Sequence, residues 1–105
     1  MEPLDKLKLL TAWNAEPVLT EAELEETLAA FALEDSGGLS PLNEEWTPTY
    51  NLNAAIAEAW QIKAARAAAT VDEPTAGIVT SKVFDNCRVM ARIYSAKRNV
   101  TTSVR

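Results

Sequence analysis

The chain has 105 residues, 48% of them hydrophobic, with 3 Gly and 5 Pro, which predicts one folded domain with a single modest core. Histidine is absent and Cys87 is the only cysteine, so the commonest general base, an internal disulfide and a multi-cysteine zinc site are excluded. No apolar run approaches the roughly 18 residues of a membrane span, and the acidic first residues are unlike a signal peptide.

The net charge of −5 is unevenly distributed along the chain. Residues 1–62 carry twelve acidic and two basic side chains, whereas residues 63–105 carry eight basic and three acidic ones. Two interpretations are open. Either the fold interleaves the two halves and the charges cancel locally, or the acidic surface of one copy attracts the basic surface of another, head to tail.

The first predicted helix runs from about Pro3 to Trp13. Leucines recur there at three-residue spacing, which predicts a narrow apolar stripe on one face. Pro3 suits a first helical turn, because the backbone N–H groups of that turn have no partner within the helix.

The second predicted helix begins after Thr20 and ends near Glu34. Thr20 and Glu23 form the pattern of a capping box, and Leu19 can pack on Leu24 as a hydrophobic staple. Four acidic side chains crowd the first turns: Glu21, Glu23, Glu25 and Glu26. Capping, the helix dipole and a solvated face explain this cluster, and pairing with basic neighbours is the alternative.

A connector over residues 34–50 contains two prolines and also Trp46 and Tyr50. A free linker rarely carries two large aromatic residues. We therefore expect them to hold the connector against the body of the protein, with contact to a partner as the alternative.

The third predicted helix runs from Leu52 to Ala69, with Asn51 as its N-cap. It contains no Gly or Pro and nine alanines, the best helix-forming residue. Small side chains on several faces predict a central helix that other helices contact from more than one side.

The fourth predicted helix begins near Thr80 or Ser81 and ends near Arg98. Its basic residues lie away from the apolar face: Lys82, Arg88, Arg92, Lys97 and Arg98. From Asn99 the sequence is polar and β-prone without helical periodicity, which predicts an extended tail. We expect an all-α bundle of about four helices over residues 1–98, followed by an extended arm over residues 99–105.

No catalytic or cofactor motif is present. Adjacent carboxylates lie in predicted loops, the glycines form no phosphate-binding pattern, and Cys87 has no histidine as a base. We expect a protein that is not an enzyme and that binds no cofactor or metal.

Two segments resemble the head–tail connector (adaptor) proteins of long-tailed bacteriophages. Residues 46–55, Trp-Thr-Pro-Thr-Tyr-Asn-Leu-Asn-Ala-Ala, and 59–67, Ala-Trp-Gln-Ile-Lys-Ala-Ala-Arg-Ala, are similar to the central helix of that family. Residues 81–87, Ser-Lys-Val-Phe-Asp-Asn-Cys, with Met90, Ala91 and Tyr94, are similar to its last helix. The helix start at Leu19–Leu24 also fits.

The resemblance implies a virion protein of the neck, made in the host cytoplasm. It would assemble as a ring, usually dodecameric, beneath the portal, and link the portal to the next connector or tail protein around the DNA channel. DNA would pass without sequence-specific binding. In that family an extended C-terminal arm commonly reaches the portal, which here implies these portal-binding residues: Lys97, Arg98, Val100, Thr102, Val104 and Arg105. A frayed terminus is the alternative for this segment.

Charge complementarity predicts an inter-subunit interface of the ring, in which Glu21 and Glu25 face Arg88 and Arg92 of a neighbour. Trp46 and Tyr50 are further interface candidates, beside their role in holding the connector.

A second hypothesis is a small helical regulatory protein that binds DNA phosphates through the Lys82–Arg98 face. The sequence has no helix-turn-helix signal and no arginine-rich arm.

Overall fold

Four helices make up the ordered elements in the part of the chain that the computed structural model describes, residues 2–69 and 77–103, with side chains described at 2–69 and 82–97. They are α1 (Pro3–Leu10), α2 (Glu21–Ala30), α3 (Leu52–Ala69) and α4 (Gly77–Ser103). Within those residues the only extended pairing is an isolated antiparallel bridge between Ala32 and Tyr50. The predicted all-α bundle is confirmed.

Helix α3 is the centre of the bundle, as its alanine content predicts. Helices α1, α2 and α4 all pack against it, and α4 does so along the greatest length. Helices α1 and α2 also contact each other, but neither contacts α4 in the described part of the chain. Nine of the eighteen α3 residues are buried: Ala54, Ala55, Ile56, Ala57, Ala59, Trp60, Lys63, Ala64 and Ala67. Alanine side chains let the neighbouring helix axes approach closely.

The core lies on both sides of α3. Leu7 of α1, Leu24 and Leu28 of α2, and Leu19 before α2 are buried on one side. Cys87 and Ala91 of α4 complete the same cluster. Both residues of the predicted hydrophobic staple, Leu19 and Leu24, are therefore core residues, with 1% and 0% exposure.

Helix α1 ends three residues earlier than predicted. The N–H of Trp13 donates to the Lys8 carbonyl and the N–H of Ala12 donates to the Leu9 carbonyl. This pair of bonds is a Schellman termination, and it places Ala12 in the left-handed region, with φ of 47°.

Helix α2 begins as predicted and ends earlier. The Thr20 hydroxyl accepts from the Glu23 N–H, and the Glu23 carboxylate accepts from the Thr20 N–H, so the capping box is confirmed. The helix ends at Ala30 and not near Glu34, because the following residues pair with the end of the connector. Asn51 N–H donates to the Phe31 carbonyl at 2.9 Å, which draws the backbone away from helical geometry.

Helix α3 has the predicted bounds, and the Asn51 side chain caps it by accepting from the Ala54 N–H at 3.1 Å. Helix α4 is longer than predicted at both ends. It begins at Gly77, before Thr80 and Ser81.

The extended arm predicted from Asn99 is wrong over residues 99–103, which continue α4 to Ser103. No Gly or Pro follows Gly77 in the sequence. Each β-branched residue lowers the stability of a helix, relative to alanine, by only about 0.5 kcal/mol. Such residues do not end a helix that is already propagating. Val104 and Arg105 lie outside the described residues.

Candidate functional site

A groove lies between α3 and α4 in the described part of the chain. It has a volume of about 460 Å³. Its lining combines small residues with two cations: Gln61, Ala64, Ala65, Phe84, Arg88, Ala91, Arg92 and Ser95. Arg88 and Arg92 are one helical turn apart on α4, so both stand on the same wall of the groove. The Arg88 guanidinium lies 5.6 Å from the centre of the Phe84 ring.

The described cations of α4 have no carboxylate partner. Among the side chains described at 2–69 and 82–97, the ion pairs are Lys8–Glu21 and Arg66–Glu23, and neither involves α4. Lys97 is exposed, with its ammonium 4.7 Å from the centre of the Tyr94 ring. The positive charge of Arg88 and Arg92 is therefore available to a partner at the groove.

The acidic residues at the start of α2 have divided roles. Lys8 donates to Glu21 at 3.0 Å, and the Arg66 guanidinium binds both carboxylate oxygens of Glu23. The Arg66 hydrogen bonds, and next the Thr20 backbone N–H, lower the pKa of Glu23 from 4.5 to about 2, while Glu23 raises the pKa of Arg66. Both interpretations of the cluster therefore apply to Glu23, which caps the helix and pairs with a basic neighbour.

Glu25 and Glu26 are exposed and belong to neither of those two ion pairs. Of the predicted interface acids, Glu21 is thus already engaged inside its own chain, whereas Glu25 has a free carboxylate. Sequence reasoning named Glu21 because it could not show that α1 brings Lys8 beside it.

The two aromatic residues of the connector hold it to the body. Trp46 Nε1 donates to the Leu33 carbonyl at 2.9 Å, and its ring meets the Tyr50 ring edge-on at 5.7 Å between centres. Tyr50 also packs against the core. The predicted holding role is confirmed, and a role of Trp46 and Tyr50 between subunits stays a prediction.

Asp35 organises the connector and was missed by sequence reasoning. Its carboxylate accepts from the backbone N–H groups of Thr47, Leu39 and Gly37, each at 2.9 Å. These bonds lower the pKa of Asp35, with Thr47 the largest contributor. An Asp before Ser-Gly-Gly is a usable signal, since Asp side chains commonly bond to the backbone of the turn that they begin.

Lys63 is a buried cation that sequence reasoning also missed. It is 1% exposed, and its ammonium donates to the carbonyls of Ala12 at 2.6 Å and Ala15 at 3.1 Å. Burial lowers its pKa. The signal was its position, since Lys63 follows Ile56 and Trp60 on the buried face of α3. The same site has Cys87 nearby, whose thiol pKa is raised by burial.

The predicted portal-binding residues fall in three groups. Lys97 is exposed on α4. Arg98, Val100 and Thr102 belong to the helical backbone of α4, but their side chains lie outside the described residues, as do Val104 and Arg105 entirely. Lys97 is not among the residues that line the groove with Arg88 and Arg92.

Within residues 2–69 and 77–103, no group of three or more His, Cys, Asp or Glu side chains could hold a metal ion. In the same residues, no helix is both long enough and apolar enough to cross a membrane. Comparison with protein-family models, with curated proteins and with solved structures gave no match.

Proposed function

We propose that this protein is a head-to-tail adaptor of a long-tailed bacteriophage. It forms a ring in the neck of the virion, beneath the portal, and links the portal to the next connector or tail protein around the DNA channel. The support is the resemblance over residues 46–67 and 81–94 together with one structural observation, the separation of the unpaired charges.

That separation carries the proposal. Among the described residues, the unpaired carboxylates of Glu25 and Glu26 belong to α2 and the unpaired guanidinium groups of Arg88 and Arg92 belong to α4, and these two helices make no contact there. The charges therefore do not cancel within one chain at these positions. Complementary surfaces on different sides of one subunit suit a head-to-tail contact, which produces a ring when the rotation per subunit closes.

The far end of α4 is the proposed portal-binding element. Helix α4 has 27 residues and its antiparallel partner α3 has 18, so a length of α4 extends without α3 beside it. A helical end, rather than the extended arm predicted from the sequence, would then meet the portal. Lys97, Arg98, Val100 and Thr102 are in this end, with Val104 and Arg105 following.

The alternative is a regulatory protein that binds DNA through the basic face of α4. The observation in its favour is that Lys82, Arg88, Arg92 and Lys97 are exposed and lack ion pairs in the described part of the chain. Against it stands the acidic surface of α2 and of the connector, which repels phosphates.

The test is the molar mass in solution by light scattering, with and without the portal ring encoded in the same viral genome. Co-elution with the portal supports the adaptor. A chain that ignores the portal and binds duplex DNA with a strong salt dependence overturns it in favour of the regulator.

A further inference from the structure

In the part of the chain that the structure describes, no residue fills the groove between α3 and α4. Its floor is formed by Ala64 and Ala65 on α3 and by Ala91 on α4, and one wall carries Arg88 and Arg92. Helices α1 and α2 lie elsewhere, since within residues 2–69 and 77–103 neither contacts α4. A partner that enters must be narrow enough to rest on alanine and must carry negative charge.

Helix α2 has such a surface on its outer face. Ala22 and Ala29 are exposed and lie seven residues apart, in line on the face opposite the buried Leu24 and Leu28. Glu25 and Glu26, exposed as well, stand on either side of that alanine line. The face is thus a narrow ridge of small residues with a carboxylate on each flank.

The dimensions of the two surfaces agree. Ten residues of α2 span about 15 Å, and the groove from Phe84 to Ser95 spans about 17 Å at the same rise per residue. Whichever way α2 runs along the groove, one flanking carboxylate meets the arginine wall. The other carboxylate then meets the α3 wall, where the Gln61 amide can donate to it.

We infer that the groove binds helix α2 of a second copy of this chain, with Ala22 and Ala29 on the alanine floor and Glu25 or Glu26 paired with Arg88 and Arg92. This inference deepens the proposed function, since it assigns the contact between neighbouring subunits of the ring. It replaces Glu21, which is engaged with Lys8, by Glu26. The contact is heterologous, so each copy uses both surfaces and assembly continues beyond a dimer.

Charge reversal tests the contact. Sedimentation velocity over a concentration series at low salt measures self-association of the wild type, of R88E/R92E and of E25R/E26R. We expect each reversal to weaken association at least about tenfold, because each puts like charges face to face. The matched control is K6E/K82E, which reverses two exposed cations outside the groove and should associate like the wild type.

Mixing the two reversed variants gives the sharper result. The acidic α2 of R88E/R92E fits the unchanged groove of E25R/E26R, and the basic α2 of E25R/E26R fits the acidic groove of R88E/R92E. Both contacts are restored, so the mixture should form alternating assemblies that neither variant forms alone. An equimolar mixture that stays as dispersed as its components overturns the inference.

Failure here is distinguishable from failure of the adaptor function. The same variants are incubated with the portal ring, and bound chains per portal are counted by native mass spectrometry. If the wild type and both charge-reversed variants fill the portal with the same full ring of copies, the groove contact is overturned and the adaptor stands. Self-association through the groove without portal binding supports the groove contact and overturns the adaptor function. A wild type that neither self-associates nor binds the portal overturns both proposals.

Discussion

The ammonium of Lys63 donates to the carbonyl of Ala12 at 2.6 Å, across 51 residues of chain. Ala12 is also the residue that ends α1 with a positive φ. Lys63 therefore joins the central helix to the one backbone turn in the described chain where an alanine holds left-handed geometry. Trp60, one turn earlier on α3, donates to the neighbouring Leu10 carbonyl at 3.2 Å and reinforces the same junction.

Replacing Lys63 with Met should destabilise the fold by about 1–3 kcal/mol, since two carbonyl groups lose a charged donor while the apolar stem is kept. Urea unfolding followed by circular dichroism measures the change. K82M is the matched control, because Lys82 is exposed. This substitution should change the free energy of unfolding by no more than about 0.5 kcal/mol. A K63M variant as stable as the wild type would show that the bonds from Lys63 to the α1 end do not stabilise the fold.

The pH dependence of the same pair of proteins gives a second prediction. Burial lowers the pKa of Lys63 below its ordinary value of 10.5, although Cys87 and Glu16 oppose the shift. In the range between the lowered pKa and 10.5 the unfolded chain binds more protons than the native one. The free energy of unfolding of the wild type, minus that of K63M, should therefore rise with pH in that range. A difference that stays constant or falls with pH contradicts the lowered pKa of Lys63.

Glu23 should make stability fall in acid. Its pKa is about 2 in the fold against 4.5 for the free side chain, so the native state binds fewer protons between these values. The stabilisation is complete above pH 4.5 and is lost as the pH falls towards 2. E23Q keeps an acceptor for the capping box. In urea titrations from pH 2 to pH 6, its free energy of unfolding should depend on pH much less than that of the wild type. E21Q, which leaves Glu23 and Arg66 in place, should keep the wild-type dependence.

Ala12→Gly should stabilise the protein by about 1 kcal/mol, because glycine adopts the positive φ at this helix end without the clash of a Cβ atom. The same change at Ala96, which is exposed and lies inside α4, should destabilise by about 0.5–1 kcal/mol. Thermal unfolding of the two variants tests the opposite signs. A destabilised A12G would mean that the lost chain entropy outweighs the relief of strain.

Deleting residues 99–105 should abolish portal binding and leave the bundle folded, since the core cluster of the described chain ends with Ala91 and its neighbours Met90 and Tyr94. Circular dichroism checks the fold, and co-elution with the portal checks binding. A deletion that binds the portal as well as the full chain eliminates the C-terminal end as the docking element.

Local signals in the sequence predicted those elements that local chemistry controls. Thr20 and Glu23 cap α2 through bonds three residues apart, and Asn51 caps α3 in the same way. Where tertiary contacts decide, the sequence patterns were insufficient. The end of α2 depends on pairing between Phe31 and Asn51, twenty residues apart, and the length of α4 depends on propagation through residues whose own preference is for strands.

The candidate site was predicted in part. Charge complementarity between the acidic start of α2 and the basic face of α4 indicated Glu25, Arg88 and Arg92. The alanine floor of the groove was not predicted, because it forms only where two helices lie side by side. Glu26 was not predicted, because only the structure shows that Lys8 of α1 already pairs with Glu21.

Cys87 is 1% exposed, and burial raises the pKa of its thiol, so its reaction with a thiol reagent should speed up when α4 separates from α3. Because no other cysteine exists in the sequence, modification of the unaltered protein reports on that one event. The labelling rate of Cys87 is accordingly a built-in measure of how often the bundle opens, readable by mass spectrometry without an introduced probe. A neighbouring copy bound in the α3–α4 groove should slow the labelling of Cys87. The labelling rate would therefore report on assembly as well.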